Sequence, residues 1–275
     1  MIISQGHNTP QCKSICLVYL DYFSRLQVTI NEHINSDVDV KKLYDSIDRK
    51  VPFRNLQNGF YRGETDGAQP KGKGEWISKD GYSYKVGFWQ NNCLQGKGLT
   101  LYCVYDTQQI THYECYYGNF NKGKPQGYGK LKATNNKSYE GQWENGQMNG
   151  QGSIYIENSY YIKGQFKNNQ LSGQGEIESK DQNYYWKMVG TFIEPNRFKG
   201  DITYKTGKYI GSAIYEENQW QMHEQGSFIW DDESYYKGGF SYNQREGYAI
   251  SKFGNEDQQE LVWKNDQKYG KVEHT

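Results

Sequence analysis

Tyr139-Glu140-Gly141-Gln142-Trp143-Glu144-Asn145-Gly146-Gln147-Met148-Asn149-Gly150-Gln151-Gly152 is the stretch on which the fold turns. It reads as Tyr-x-Gly-x-aromatic, a short turn, then Gly-x-Gly. Tyr139, Gly141 and Trp143 alternate with period two, which places them on one face of a strand. Asn145-Gly146 follows, and both residue types tolerate the positive φ of a tight hairpin turn. With Tyr139 as position one, the returning strand carries Gly150 and Gly152 at positions twelve and fourteen. A two-residue or a four-residue turn pairs odd positions with even ones. Either register therefore predicts both glycines on the face of the two aromatics, where a large ring lies flat over bare backbone.

The sentence recurs. Position three is Gly63, Gly87, Gly118, Gly141, Gly164, Gly190, Gly211 and Gly238, with Leu261 in a ninth, incomplete copy. Position five is Trp89, Phe120, Trp143, Phe166, Phe192, Phe240 and Trp263, and fails at Thr65 and Ala213. The glycine pair returns as Gly72/Gly74, Gly96/Gly98, Gly127/Gly129, Gly150/Gly152 and Gly173/Gly175. Position one is Tyr61, Tyr116, Tyr139, Tyr209 and Tyr236, against Lys85, Ile162 and Met188. Gly118 and Gly141 lie 23 residues apart, a period that marks a repeat protein. Copies three to five are the most regular, with Phe120, Trp143 and Phe166 as their spine. Copies six and seven break the rule at Pro195, Lys199, the displaced Gly200 and Ala213, which predicts a bend or contact loop across 195–226.

One hairpin is marginal in water, whereas stacked hairpins bury their aromatic faces on one another. The expected fold is all-β: an elongated, twisted, single-layer antiparallel sheet of about eight to nine hairpins. With 31 glycines, 26 tyrosines and only 5 prolines, the composition suits many tight turns and stacked rings. A mean hydropathy of −1.00 suits a thin sheet without a thick core.

These residues resemble the MORN repeat (membrane occupation and recognition nexus), whose consensus is similar to Tyr-x-Gly-x-Trp/Phe-x-x-Gly-x-x-x-Gly-x-Gly. The resemblance spans about residues 60–270, and copies three and four match it at every glycine. It implies a β-hairpin solenoid that acts as a non-catalytic binding scaffold. Arrays of this kind occur in radial-spoke heads of cilia, in junctophilins and in parasite cytoskeletal organisers. Where such proteins are enzymes, a separate domain carries the chemistry.

Bulk properties narrow the functional classes. The 32 basic and 32 acidic residues balance, so the basic footprint that nucleic-acid binding needs is not evident. Cys12, Cys16, Cys93, Cys103 and Cys115 are odd in number and irregular in spacing, which argues against a secreted disulfide framework. Neither a signal peptide nor a run of about twenty apolar residues is apparent. A cytosolic or cytoskeletal protein is expected, with no cofactor and no metal.

Residues 1–56 differ from the array at 57–275. Val40, Leu43, Tyr44 and Ile47 follow helical spacing, with Ser36 or Asp37 as caps and Pro52 as the stop. Residues 14–30 are apolar; Leu26 to Ile30 alternates like a strand. This segment either caps the first hairpin or docks a partner. Catalytic constellations are not apparent. Glu216-Glu217 and Asp231-Asp232-Glu233 read as loop charges, and Gly72-Lys73-Gly74 and Gly96-Lys97-Gly98 lack the spacing of a phosphate loop. Function is expected in surplus aromatics, Tyr160, Tyr161, Tyr184, Tyr185, Trp186, Tyr235 and Tyr236, as anchors for other proteins of a large assembly such as a ciliary axoneme. The alternative is a tether to acidic phospholipid, for which Lys122, Lys124, Lys130, Lys132 and Lys137 form the best basic cluster.

Overall fold

The computed structural model describes residues 38–106, 109–181, 184–194 and 196–271. Among the described residues a short helix, α1 (Val38–Asp45), precedes β1 (Arg54–Leu56). Nine hairpins follow, one per copy of the motif: β2 (Gly59–Asp66) with β3 (Gln69–Ser78), β4 (Ser83–Gln90) with β5 (Cys93–Asp106), and β6 (Gln109–Asn121) with β7 (Lys124–Ala133). Next come β8 (Lys137–Glu144) with β9 (Gln147–Ile156), β10 (Tyr160–Lys167) with β11 (Gln170–Ser179), and β12 (Trp186–Glu194) with β13 (Arg197–Tyr204). The last three are β14 (Gly207–Glu216) with β15 (Gln219–Trp230), β16 (Tyr235–Ser241) with β17 (Gln244–Lys252), and β18 (Gln259–Lys264) with β19 (Gln267–Lys271). All nineteen strands belong to one open antiparallel sheet. The chain divides into two compact units, residues to Asn135 plus Trp143–Gly146, and Asn136–Gln142 plus Gln147 onward.

The turns follow from local chemistry. Asn91-Asn92, Lys122-Gly123, Asn145-Gly146, Asn168-Asn169, Tyr242-Asn243 and Asn265-Asp266 each place two residues at positive φ, as the two-residue hairpin turn requires. The last five of these turns also fasten to the preceding hairpin. The Asn243 amide donates to the Met222 carbonyl at 3.0 Å, and Asn243 Oδ1 accepts the Met222 amide at 2.7 Å. Asn169 makes the same pair of bonds with Met148. Proline has no amide to offer, and Gly146, which has no side-chain acceptor, faces Pro125.

The register corrects the expectation for the glycine pair. In copy five Phe166 faces Leu171 and Gly164 faces Gly175, so one residue on β10 opposes three on β11. This bulge holds the position-twelve glycine in the left-handed region, Gly173 at φ 78° and Gly96 at φ 77°. That glycine is therefore a bulge residue, not a platform for a ring. The position-fourteen glycine instead faces the position-three glycine directly, Gly63/Gly74, Gly87/Gly98, Gly118/Gly129 and Gly164/Gly175, and in the longer copy seven Gly226 faces Gly211.

The position-one tyrosine occupies the space above each glycine pair. A Cβ on Gly152 would lie 2.4 Å from Tyr139 Oη, and one on Gly129 would lie 2.3 Å from Tyr116 Oη. The hydroxyl then donates to the carbonyl of position four, at 2.7–3.1 Å for Tyr61, Tyr116, Tyr139, Tyr209 and Tyr236. Copies without that tyrosine fill the space from the return strand. Leu94, Leu171 and Phe198 each face the position-five aromatic and lie against the local glycine pair, with Leu171 Cδ1 3.0 Å from a Cβ on Gly164. In tyrosine copies the same place holds Pro125, Met222 or Arg245.

Successive hairpins join through edge-to-face rings, the position-one tyrosine of one copy meeting position five of the next. Centroids are 5.4 Å apart for Tyr61–Trp89, 5.0 Å for Tyr116–Trp143, 5.3 Å for Tyr139–Phe166 and 5.2 Å for Tyr209–Phe240. Each such pair contributes about 0.5–1.5 kcal/mol beyond its burial. Where Ala213 leaves position five without a ring, Trp220 of the return strand packs edge-on against Phe192 at 5.8 Å. β13 and β14 pair without a register shift from Arg197↔Ile214 to Tyr204↔Gly207. Pro195 lies outside the described residues, as do Cys12, Cys16, Ser36, Asp37 and the strand-like Leu26–Ile30.

The opposite sheet face of the first unit is apolar as well. Ile77, Tyr84, Val86, Leu99, Leu101 and Cys115 form a buried cluster that Leu43, Tyr44 and Ile47 join. α1 ends at Asp45, well before Pro52, and Ile47 reaches the cluster from the following turn. A network centred on the buried Glu75 fastens this segment to the first hairpins. Arg62 Nε donates to Glu75 Oε1 at 2.7 Å, Tyr84 Oη donates to Glu75 Oε2 at 2.6 Å, and Arg62 Nη1 donates to the Arg49 carbonyl at 3.2 Å.

Candidate functional site

The aromatic residues singled out from the sequence separate into two groups. Tyr160 and Tyr161 open β10, Tyr184 and Tyr185 lie in the connection after β11, and Trp186 opens β12. Tyr160 and Trp186 approach to 5.9 Å between ring centroids. Tyr184 is 77% exposed and Tyr160 is 40% exposed, with Tyr161, Tyr185 and Trp186 partly buried. Tyr155, which the sequence reading passed over, faces Tyr161 across the β9–β10 pair and is also exposed. Its position in a return strand, where alternate residues point outward, is the signal that identifies it. Lys180–Glu178 at 3.1 Å and Lys187–Glu176 at 3.2 Å place paired charges beside these rings. The hydrogen bond to Glu176 raises the Lys187 pKa.

Tyr235 and Tyr236 lie apart from that group. Tyr235 donates to Gln258 Oε1 at 2.6 Å and lies under Lys237 Nζ. Tyr236 is 0% exposed, which corrects its reading as a partner anchor. Its period-two place makes it the position-one ring of copy eight, held against Phe240 and Trp263.

The charged candidates build turns. Asp232 Oδ1 accepts the Ser234 amide at 3.0 Å, and bonding to Ser234 lowers its carboxyl pKa. Glu217 stands in the turn of copy seven at φ 49°. Lys122 and Lys124 lie at the tip of the β6–β7 hairpin, whereas Lys130 and Lys132 run along β7 opposite Tyr117 and Cys115. Burial pushes the Cys103 thiol up to about 11 and the Cys115 thiol up to about 12, which leaves both as protonated packing groups at neutral pH. Among the described residues no group of three or more His, Cys, Asp or Glu is placed to hold a metal ion. No helix among them is long and apolar enough to cross a membrane.

Four of these hairpins match a known repeat model. The chain carries MORN repeats at four positions. The model of the MORN repeat matches residues 116–137, 139–158, 163–184 and 236–258. These are copies three, four, five and eight. No curated protein matches the chain. MORN repeats suggest binding to proteins or membranes in general, and the remaining five hairpins continue the same antiparallel sheet.

Proposed function

We propose that this protein is a non-catalytic, protein-binding scaffold, a structural subunit of a large intracellular assembly, and that the assembly is a ciliary axoneme of the radial-spoke type. The observation that carries the scaffold reading is the exposure of Tyr160, in ring contact with Trp186, and of Tyr184 two residues before that tryptophan. Rigid aromatic side chains left in water on a hydrogen-bonded sheet cost little entropy to immobilise and make good interface anchors. The axonemal assignment rests on the MORN resemblance alone.

A photo-cross-linking amino acid at Tyr184, in tagged full-length protein expressed in ciliated cells, tests both levels. Cross-links to axonemal or cytoskeletal proteins are expected. Failure to capture any protein sinks the scaffold reading, and capture of proteins outside the cytoskeleton sinks the axonemal one. Flotation with vesicles containing acidic phospholipid at low salt, where electrostatic attraction is strongest, is expected to leave the protein unbound.

A further inference from the structure

Copies six and seven depart from the rule in ways that meet at one place. In copy six the irregularity lies on the outgoing strand, between Phe192↔Phe198 and Glu194↔Arg197, and Ile193 is pushed outward to 57% exposure. In copy seven the left-handed bulge residue is Glu224, at φ 62°, where the regular copies have glycine. Position four changes with it. Regular copies lay a long polar side chain over the bulge, and a Cβ on Gly150 would lie 2.0 Å from Gln142 Oε1. Copy seven tolerates the Cβ of Glu224 because position four is the short Ser212.

The result is a small depression lined by Ile193, Arg197, Ser212, Ile214, His223 and Glu224. Arg197 Nη1 lies 3.3 Å from Glu224 Oε1, a half-exposed contact at the rim. His223 Nδ1 is buried and has no hydrogen-bond partner among the described residues, while its ring is held against Tyr242 at 5.2 Å between centroids. A buried polar atom without a partner and a side chain in a left-handed bulge are both local costs, and costs of this kind gather where a ligand completes the structure. Three of the lining residues can donate: Ser212 through its hydroxyl, Arg197 through its guanidinium, and His223 through Nδ1–H in the tautomer that carries the proton there. The remaining polar group, Glu224, is already held by Arg197. Val189 and Ile210 stand exposed on the same strands as Ile193 and Ser212.

We propose that this depression is a socket for a carboxylate side chain of a protein partner, an aspartate or glutamate flanked by apolar residues. The carboxylate accepts from Arg197, Ser212 and His223, and the flanking residues cover Ile193, Val189 and Ile210. This deepens the scaffold reading and rests on it.

The test is nitrogen-15 NMR of the histidine rings in the full chain, titrated with acetyl-Leu-Glu-Leu-amide, acetyl-Leu-Gln-Leu-amide and succinate. The glutamyl peptide is expected to shift the His223 Nδ1 signal saturably, with half-saturation on the order of 1 mM. The glutamine peptide and succinate are expected to bind at least about tenfold more weakly, the first for want of charge and the second for want of apolar flanks. The double variant Ser212→Gln/Glu224→Gly restores the pattern of copies four and five, so it keeps the hairpin while closing the socket, and the response is expected to vanish. A missing or unsaturable shift, an equal response to the glutamine peptide, succinate binding as tightly as the peptide, or an unchanged response in the double variant would each overturn the socket. Cross-linking at Tyr184 that persists after any of these results leaves the scaffold reading standing without it.

Discussion

Replacing Gly152 by alanine should unfold the middle of the array far more readily than the same change at Gly96. The added Cβ at position 152 would lie 2.4 Å from Tyr139 Oη and 2.6 Å from Cε2 and Cζ of that ring. An aromatic ring cannot give way as a flexible side chain does, so Tyr139 must leave its place. That forfeits about 1.5–3 kcal/mol of burial, about 1 kcal/mol for the hydrogen bond to the Gln142 carbonyl, and about 0.5–1.5 kcal/mol for the edge-to-face contact with Phe166. The expected cost is about 3–5 kcal/mol. At Gly96 the backbone is left-handed, φ 77°, but nothing lies within 4 Å of the added atom. There the left-handed penalty of about 1–2 kcal/mol is partly offset by about 0.4–1 kcal/mol of lost freedom in the unfolded chain. The net is about 1 kcal/mol. Gly150→Ala falls between them. It carries the backbone penalty at φ 98° and also displaces Gln142 Oε1 from the Gln151 amide, a 2.8 Å bond. Equilibrium urea unfolding followed by tryptophan fluorescence gives the ranking. In a Tyr139→Ala background the Gly152→Ala change should add almost nothing, a coupling of about 3–5 kcal/mol between the two sites. A Gly152→Ala cost equal to that of Gly96→Ala, or additive costs in the double mutant, would refute the placement of the tyrosine over the glycine pair.

Other outcomes follow from the same geometry. Leu171→Ala should destabilise the second unit by about 1–3 kcal/mol, and adding Ile162→Tyr should restore most of that loss, because a position-one ring fills the same space; thermal melts of the single and double variants check this. Asn243→Ala should cost about 1–2 kcal/mol in urea unfolding, since it removes the 2.7 Å acceptor of the Met222 amide and leaves a Cβ-bearing residue without Asn's tolerance at φ 67°. Burial, the main cause, pushes the phenols of Tyr61 and Tyr236 up to about 12. Their folded pKa lies above the unfolded one, so the stability they confer is present below about pH 10 and is lost as pH rises toward 12. Spectrophotometric titration should show these rings ionising only with cooperative unfolding, and in urea together with all other tyrosines.

The hairpins were legible because Tyr, Gly and Trp at period two, followed by Asn145-Gly146, state strand, turn and face in a few letters. The register was not. Gly150 and Gly152 are written with one letter, yet the first is glycine for a left-handed bulge and the second for the ring of Tyr139. Counting residues without the bulge pairs position three with position twelve rather than fourteen. The exchange of Tyr139-type rings for Leu171 is equally hidden, since the replacement comes from the other strand. Tyr236 was misread because adjacent tyrosines look alike, although alternation sends one inward and the other outward. α1 stops at Asp45 and Ile47 reaches the apolar second face from a turn, and nothing in helical spacing reveals that face. The disruption at copies six and seven was visible at Ala213, but the bulge at Glu224 and the orphaned nitrogen of His223 belong to the three-dimensional register.

The scaffold reading is tested most directly by parallel affinity capture of the tagged wild-type protein and a Tyr160→Ala/Tyr184→Ala variant from ciliated cells, quantified by mass spectrometry. The account predicts a defined set of axonemal proteins retained by the wild type and lost from the variant, with the variant's urea midpoint unchanged. An identical retained set for both proteins, or retention of acidic vesicles alone, would contradict it.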